Sequence, residues 1–118
     1  EALFANLNWI KANSKDVDIF VGALVSVYQD MMKDPTIISR ETNPDGPIGQ
    51  LPKEVLGNLD QFYTDAVAGG LYDANGGGMK AAKADMEWYS KAGQLQGDAA
   101  SLNINDFWYM EPLNKAAK

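Results

Sequence analysis

The stretch from Gly69 to Lys80 reads GGLYDANGGGMK and separates two segments with apolar residues at helical spacing. Apolar side chains recur three or four residues apart over residues 55–67 before it and over residues 79–89 after it. Gly69 and Gly70 end the first segment, because glycine takes the left-handed conformation beyond a helix end at little cost. The stretch therefore predicts a turn that joins two helices.

The glycine-rich part of this turn was compared with phosphate-binding loops. A Walker-type loop needs a lysine followed by serine or threonine, whereas here Met79 follows Gly78 and Ala81 follows Lys80. A dinucleotide fingerprint needs a strand before its glycines, and the pattern before this turn is helical. The one remaining argument for phosphate binding is the general affinity of a helix N-terminus for anions.

The same turn begins like a calcium-binding EF-hand loop. Asp73, Asn75 and Gly78 match loop positions one, three and six. Gly77 and Ala84 then occupy positions five and twelve, which have to supply oxygen ligands. We therefore favour a structural role, in which Asp73 and Asn75 form the turn and the glycines supply positive φ angles.

Composition limits the classes of function. The chain has 118 residues, of which 46% are apolar, and this length and composition fit one folded domain. Its net charge is −6 without a cluster of basic residues, so nucleic acid is not an expected partner. It contains neither cysteine nor histidine, which removes thiolate chemistry, the commonest metal ligand and the usual general base. We expect no enzyme, no cofactor and no metal site.

The first half of the chain predicts further helices. Residues 6–13 suggest a short helix carrying Trp9 and Ile10, and Ser14 is a suitable N-cap for a longer one. Residues 2–5 fit the end of a buried strand. The long helix has an apolar face, which additional apolar residues broaden: Val17, Phe20, Val21, Leu24, Tyr28 and Met31, with Val25, Val27 and Met32. No run of apolar residues is long enough to span a membrane.

The remaining segments follow proline and asparagine signals. Asp34-Pro35 starts a short helix through about Arg40, residues 42–50 form a turn-rich loop, and Pro52 starts the helix before Gly69. Gly93 ends the helix that follows the glycine turn. The last part of the chain contains a short turn with Phe107, Trp108 and Tyr109, capped by Asn103 or Asn105, and a helical tail from Pro112. The predicted fold is mainly α, with at most one short strand.

Two pairs of carboxylates are the candidate acid–base groups. Asp85 and Glu87 lie two residues apart on a helix and so face different directions. Asp106 and Glu111 lie near Trp108, and a carboxylate against an aromatic wall acts as an acid when its pKa is raised. Capping or solvated roles are commoner for such residues, so we assign no catalytic residue.

The tryptophans Trp9, Trp88 and Trp108 have two interpretations. They are more often anchors of a hydrophobic core, and the alternative is that they line a slot for a ligand.

Several motifs in the second half of the chain occur in the order of a known family. They are GLYDANGG at 70–77, ADMEWY at 84–89, KAGQLQGD at 91–98, INDFWY at 104–109 and LNKA at 113–116. This order resembles the C-terminal end of the periplasmic solute-binding proteins of ABC transporters for nitrate, sulfonates, taurine and thiamine precursors. The opening FAN and WIKAN motifs resemble a segment further upstream in that family. Ser14 stands where the family usually has proline, and the loop at 42–50 is longer than expected.

The resemblance implies both a fold and a function. Residues 1–118 are then a single segment, the C-terminal part of lobe 1 of an α/β periplasmic-binding-protein type II fold, and contribute mainly its helices. The intact protein captures a small-molecule solute in the periplasm or outside the cell and delivers it to an ABC permease at the membrane. The cleft residues lie mainly outside this segment, so no ligand-binding residue is carried over and the solute is unknown.

Two other functions are alternatives to solute binding. One is a free-standing helical domain that binds a protein partner through an aromatic groove. The other is a pyrimidine-synthase enzyme of the same fold, which depends on histidine chemistry that this chain lacks. Because Glu1 is not preceded by methionine, we expect a processed or excised chain. Such a segment leaves an apolar face open, so we also expect self-association.

Overall fold

A computed structural model describes residues 3–40 and 45–117. The described residues are mainly helical and contain no strand, which confirms the mainly α prediction. Residues 3–5 are irregular, and the side chains of Leu3 and Phe4 are 74% and 94% exposed. The buried strand suggested there is therefore wrong for residues 3–5, because the described chain offers no neighbouring strand to pair with; residue 2 lies outside the described residues.

The helices are joined by short turns. The α-helices are α1 (Leu7–Ala12), α2 (Ser14–Lys33), α3 (Lys53–Leu56), α4 (Leu59–Ala68), α5 (Gly78–Lys91) and α6 (Glu111–Ala116). Single 3₁₀ turns lie at Pro35–Ile37, Ala99–Ser101 and Ile104–Asp106. The chain forms two compact units: the first comprises residues 1–25 and 77–118, and the second comprises residues 26–76.

The start of α2 differs from the prediction. The Asn6 side chain caps α1 by accepting hydrogen bonds from the backbone N–H groups of Asn8 and Trp9, as a short helix at 6–13 requires. Ser14 is already the first residue of α2, and the carbonyl of Asn13 accepts the N–H of Val17 at 3.1 Å. The N-cap assignment of Ser14 is wrong, because α1 continues almost to α2 and leaves the cap position to Asn13.

The proline signals mark helix starts, with one correction. Asp34 accepts the N–H of Thr36 at 3.0 Å, which confirms the start at Asp34-Pro35, although this helix is a single 3₁₀ turn that ends at Ile37. The helix predicted from Pro52 is two helices, α3 and α4. The Asn58 side chain donates to the carbonyl of Glu54 at 2.7 Å at the break, so a local hydrogen bond competes with continuous helix there.

Glycine ends α4 and α5 in the same way. At the end of α4, Gly70 has φ 71° and the N–H of Leu71 donates to the carbonyl of Ala66 at 2.9 Å. Gly93 has φ 69° and ends α5 in the same manner. N–H groups beyond the end of the helix donate back to carbonyls of its last turn. Both ends are Schellman motifs, which satisfy the last carbonyls of a helix. The predicted helix stops at Gly69-Gly70 and Gly93 are confirmed.

The segments with caps and loops are partly as predicted. Asn103 accepts the N–H of Asn105 at 3.2 Å and is therefore the cap, but the turn it caps is Ile104–Asp106. The N–H groups of Phe107 and Trp108 donate to the carbonyl of Ile104 and close this turn, whereas Tyr109 follows it, so the prediction is confirmed for two of the three aromatics. The tail helix from Pro112 is confirmed as α6. Residues 45–50 form turns, and the rest of the predicted loop at 42–50 lies outside the described residues.

The hydrophobic core of each unit is small. The buried side chains are Val25, Ala82, Met86 and Pro112 in the first unit and Met31, Leu59 and Ala66 in the second. Among residues 3–40 and 45–117, no polar or charged side chain is fully buried. Of the apolar face predicted for α2, Val25 and Met31 are buried, whereas Phe20 and Val27 are exposed. The helices thus keep much of their apolar surface open to solvent.

Candidate functional site

The glycine-rich turn serves backbone shape. The Asp73 carboxylate accepts the N–H of Asn75 at 2.7 Å, and the Asp73 carbonyl accepts the N–H of Gly76 at 2.9 Å. This hydrogen-bonded turn confirms the structural role of Asp73 and Asn75. In the described part of the chain, no group of three or more acidic side chains is placed to hold a metal ion.

The glycines of the turn are needed for their backbone conformation. Gly76, Gly77 and Gly78 have φ angles of 71°, 75° and 54°, as predicted. A Cβ atom at Gly77 would lie 2.6 Å from the Cβ of Ala81, so a larger residue would also clash with the first turn of α5. The carbonyl of Gly77 accepts the N–H of Ala81, which places this glycine at the start of the helix.

The carboxylates considered for acid–base chemistry are not buried. Asp85 is half-buried and Glu87 is exposed on α5, where they lie two positions apart as predicted. Asp106 is exposed and accepts a hydrogen bond from the Asn103 side chain at 3.2 Å. Glu87 borders a groove of about 450 Å³ beside Lys83 and Lys91.

Glu111 belongs to a network of polar side chains between α2 and α6. Its carboxylate accepts the Tyr109 hydroxyl at 2.8 Å and pairs with Lys115 at 2.9 Å, and Lys115 also pairs with Asp18 at 2.9 Å. Hydrogen bonds from Lys115 and then from Tyr109 lower the pKa of Glu111. The interpretation of Glu111 as an acid of raised pKa is therefore wrong, because these donors stabilise the charged form.

Charges within the network also shift the pKa values of Lys115 and Tyr109. The Glu111 and Asp18 carboxylates raise the pKa of Lys115, and the hydrogen bond to Glu111 raises the pKa of Tyr109. All of these side chains are in contact with water, so the network contributes modestly to stability. The network connects α6 to the N-terminal part of α2 through Lys115 and Asp18.

The tryptophans are not core anchors as a set. Trp9 is 55% exposed and Trp88 is 61% exposed, so the core interpretation is wrong for both; Trp108 is half-buried. The buried positions of the first unit are held by valine, alanine, methionine and proline. Trp88 contacts the ring of Tyr89 edge-on at 5.1 Å on the surface of α5.

An apolar groove in the first unit brings two of the tryptophans together. It has a volume of about 930 Å³. It is lined by residues of the segment 3–11, by the start of α2 and by residues 105–109. Its large apolar side chains are Leu3, Phe4, Leu7, Trp9, Ile10, Phe20, Phe107, Trp108 and Tyr109. The ring contacts found among the described residues involve none of these aromatic side chains.

The sequence suggested, as one alternative, that tryptophans line a slot. It did not predict which residues come together in the groove. The aromatic run 107–109 and the spacing of Phe4 and Trp9 are visible in the sequence. Their proximity brings the two ends of the first unit together, as does the Lys115–Asp18 ion pair, which joins residues 97 positions apart. Periodicity within one element carries no information about such a contact.

The groove is a surface against which another apolar surface can pack. Its charged residues are Lys11, Asp16 and Asp106, and its polar groups remain accessible to water. An apolar surface of this kind contributes binding energy when it is removed from water. No helix in the described ranges combines the length and hydropathy that a membrane-spanning segment requires.

No family model, curated protein or solved structure matches the chain. The functional proposal consequently depends on the motif order, the turn geometry and the exposed apolar surface.

Proposed function

We propose that the chain is a supporting helical segment of an extracytoplasmic solute-binding protein that captures a small molecule for ABC import. The observation that carries the proposal is the exposure of large apolar side chains on its helices. Examples are Ile19 (71%), Phe62 (55%) and Trp88 (61%). Helices in one layer of a two-layer fold present such faces to a sheet, and the described residues contain no strand to receive them.

The motif order gives the proposal its specific form. The segments at 70–77, 84–89 and 91–98 follow each other as in the family that they resemble. Gly70 and Gly93 end helices within these motifs, and this structural role fits a scaffold. In the proposed protein, two lobes close about a hinge around the solute, and the closed form docks on a permease.

A thermal-shift screen of the complete gene product tests this function. Oxyanions, sulfonates, pyrimidines and aromatic acids are added separately, and one class is expected to raise Tm in a saturable manner because it binds the folded state. The 118-residue chain is the control and is expected to show no shift, since its cleft partners come from elsewhere. A gene product that none of these classes stabilises would contradict the proposal.

The aromatic groove favours a second candidate, a helical protein-interaction domain. Trp9 and Trp108 both line the apolar groove, and an apolar groove is the kind of surface that binds an amphipathic helix. Under this function, residues 1–118 act without further segments. Titration with amphipathic helical peptides, followed by tryptophan fluorescence, is expected to show saturable binding for this candidate.

A further inference from the structure

The glycine-rich turn contains a peptide bond with a chemistry of its own. Asn75 is followed by Gly76, and it is the one asparagine of the 118 residues that has glycine after it. We propose that Asn75-Gly76 is a site of spontaneous deamidation, at which the side-chain amide becomes a carboxylate, as aspartate or isoaspartate. This inference concerns the covalent chemistry of the chain and is independent of the import function.

The reaction needs only the chain and water. The backbone nitrogen of Gly76 attacks the Cγ atom of Asn75, and the new C–N bond closes a succinimide ring. The bond from Cγ to the side-chain nitrogen breaks, and this nitrogen leaves as ammonia with the proton given up by Gly76. The step is intramolecular and therefore gains from proximity. Glycine also has no Cβ atom that could obstruct the approach.

Water then opens the ring at one of its two carbonyls. Attack at the former side-chain carbonyl restores the ordinary main chain and leaves aspartate. Attack at the main-chain carbonyl leaves a chain that runs through Cγ, which is isoaspartate. Either product adds one negative charge to a chain whose net charge is −6.

The structure leaves the reacting groups accessible. Asn75 and Gly76 are exposed and lie in the turn between α4 and α5. The Asn75 side-chain amide forms no hydrogen bond with a residue that the structure describes. The Gly76 N–H donates to the Asp73 carbonyl at 2.9 Å, and this one hydrogen bond has to open before the nitrogen attacks. Exposed hydrogen bonds of a turn open locally while the helices stay folded.

Two other asparagines show how local structure restrains this reaction. Asn13 is also followed by a small residue, Ser14, but its side chain donates to the carbonyl of Trp9 at 2.8 Å and Ser14 already belongs to α2. The Asn58 side chain donates to the carbonyl of Glu54 at 2.7 Å, and a leucine follows it. An amide held in this way has to give up its hydrogen bond before it can react. Sequence and structure together therefore favour the glycine-rich turn.

Peptide mapping by mass spectrometry tests the site. The folded chain is incubated in mildly alkaline buffer at physiological temperature, and its proteolytic peptides are analysed over time. The peptide with Asn75 is expected to gain the mass difference between NH₂ and OH several times faster than the peptide with Asn13 in the same sample. Isoaspartate is expected beside aspartate, because the ring opens in both directions. Asn75→Gln is the control and is expected to abolish the rapid gain, because a longer side chain has to close a larger ring.

The same incubation in guanidinium chloride measures what the folded turn contributes, and far-UV circular dichroism verifies that the folded samples remain helical. An Asn75 amide that survives in the folded chain overturns the proposal; conversion of the unfolded chain alone would then assign the protection to the Asp73–Gly76 hydrogen bond. Equal rates at Asn13 and Asn75 in the folded chain also overturn it. Aspartate without isoaspartate excludes the succinimide route and has the same consequence.

Discussion

Met79 and Met86 show how strongly the energetics of a residue depend on its position in a small core. They lie two turns apart on the same side of α5, and their side chains are 37% and 7% exposed. Methionine fills irregular space between helices well, so burial of Met86 is expected to contribute to the packing of α5. The exposed member lies at the start of the helix and makes fewer contacts.

Met86→Ala is expected to lower the free energy of unfolding by about 2–3 kcal/mol, through lost transfer energy and an unfilled cavity. Met79→Ala is the matched control, with an expected loss of about 1 kcal/mol or less because its side chain is already partly hydrated. Urea denaturation followed by circular dichroism measures both. Equal losses for the two variants would contradict the assignment of Met86 to the core.

The Glu111 network predicts a dependence of stability on pH. The pKa of Glu111 is lowered in the folded state, so its contribution is complete above the ordinary pKa of a glutamate and is lost as pH falls through the lowered value. Glu111→Gln is expected to lower Tm at neutral pH and to have no effect in acid, where the wild-type carboxyl is also neutral. Thermal unfolding at a series of pH values measures the difference.

Glu87→Gln is the control for this experiment. Glu87 is exposed on α5 and forms no ion pair with any residue that the structure describes. Its substitution is expected to leave Tm unchanged at neutral pH. A deficit of Glu111→Gln that persists unchanged in acid would show that the network acts through packing and not through charge.

At the scale of elements, glycine has opposite roles inside and at the end of a helix. Gly22 lies inside α2, and a Cβ atom added there meets no other atom within 4 Å. Gly93 has φ 69° beyond the end of α5, a conformation that other residues adopt at a cost. The same substitution is therefore expected to change stability in opposite directions at the two positions.

Gly22→Ala is expected to stabilise the chain by about 0.5–1 kcal/mol, because alanine loses less conformational entropy in a helix. Gly93→Ala is expected to destabilise it by about 1–2 kcal/mol, the cost of a left-handed conformation with a side chain. Chemical denaturation of both variants under the same conditions measures the two changes. A stabilising Gly93→Ala would contradict the Schellman end of α5.

The sequence predicted those elements whose signals are local. The helix stops at Gly70 and Gly93, the start at Asp34-Pro35 and the turn at Asp73 depend on residues within a few positions of each other. The failures have a common physical origin in competition between alternatives. Asn13 displaced Ser14 as a cap, and a side-chain hydrogen bond of Asn58 divided one predicted helix into two.

The groove required contacts that a linear pattern does not contain. Helical periodicity identified apolar residues on α2 but did not distinguish Val25, which is buried, from Phe20, which borders the groove. That distinction depends on which neighbours the rest of the chain places beside α2. Phe107 and Tyr109 line the same groove as residues near the start of the chain, and propensities do not describe contacts between segments so far apart in sequence.

At the scale of the whole molecule, stability and association are expected to be linked. Each unit has only a few buried apolar side chains, and the larger apolar groups lie at the surface. A chain with a small core gains a substantial part of its stability by covering such surface. When folded copies associate and unfolded copies do not, the midpoint of unfolding depends on concentration by mass action.

The central claim is that the exposed apolar surface of the chain packs against another surface. Differential scanning calorimetry of the 118-residue chain at several concentrations tests this claim most directly. We expect Tm to rise steadily with protein concentration. A Tm that is independent of concentration, together with a constant mass of 12.8 kDa, would contradict the claim that the exposed apolar surface packs against another surface.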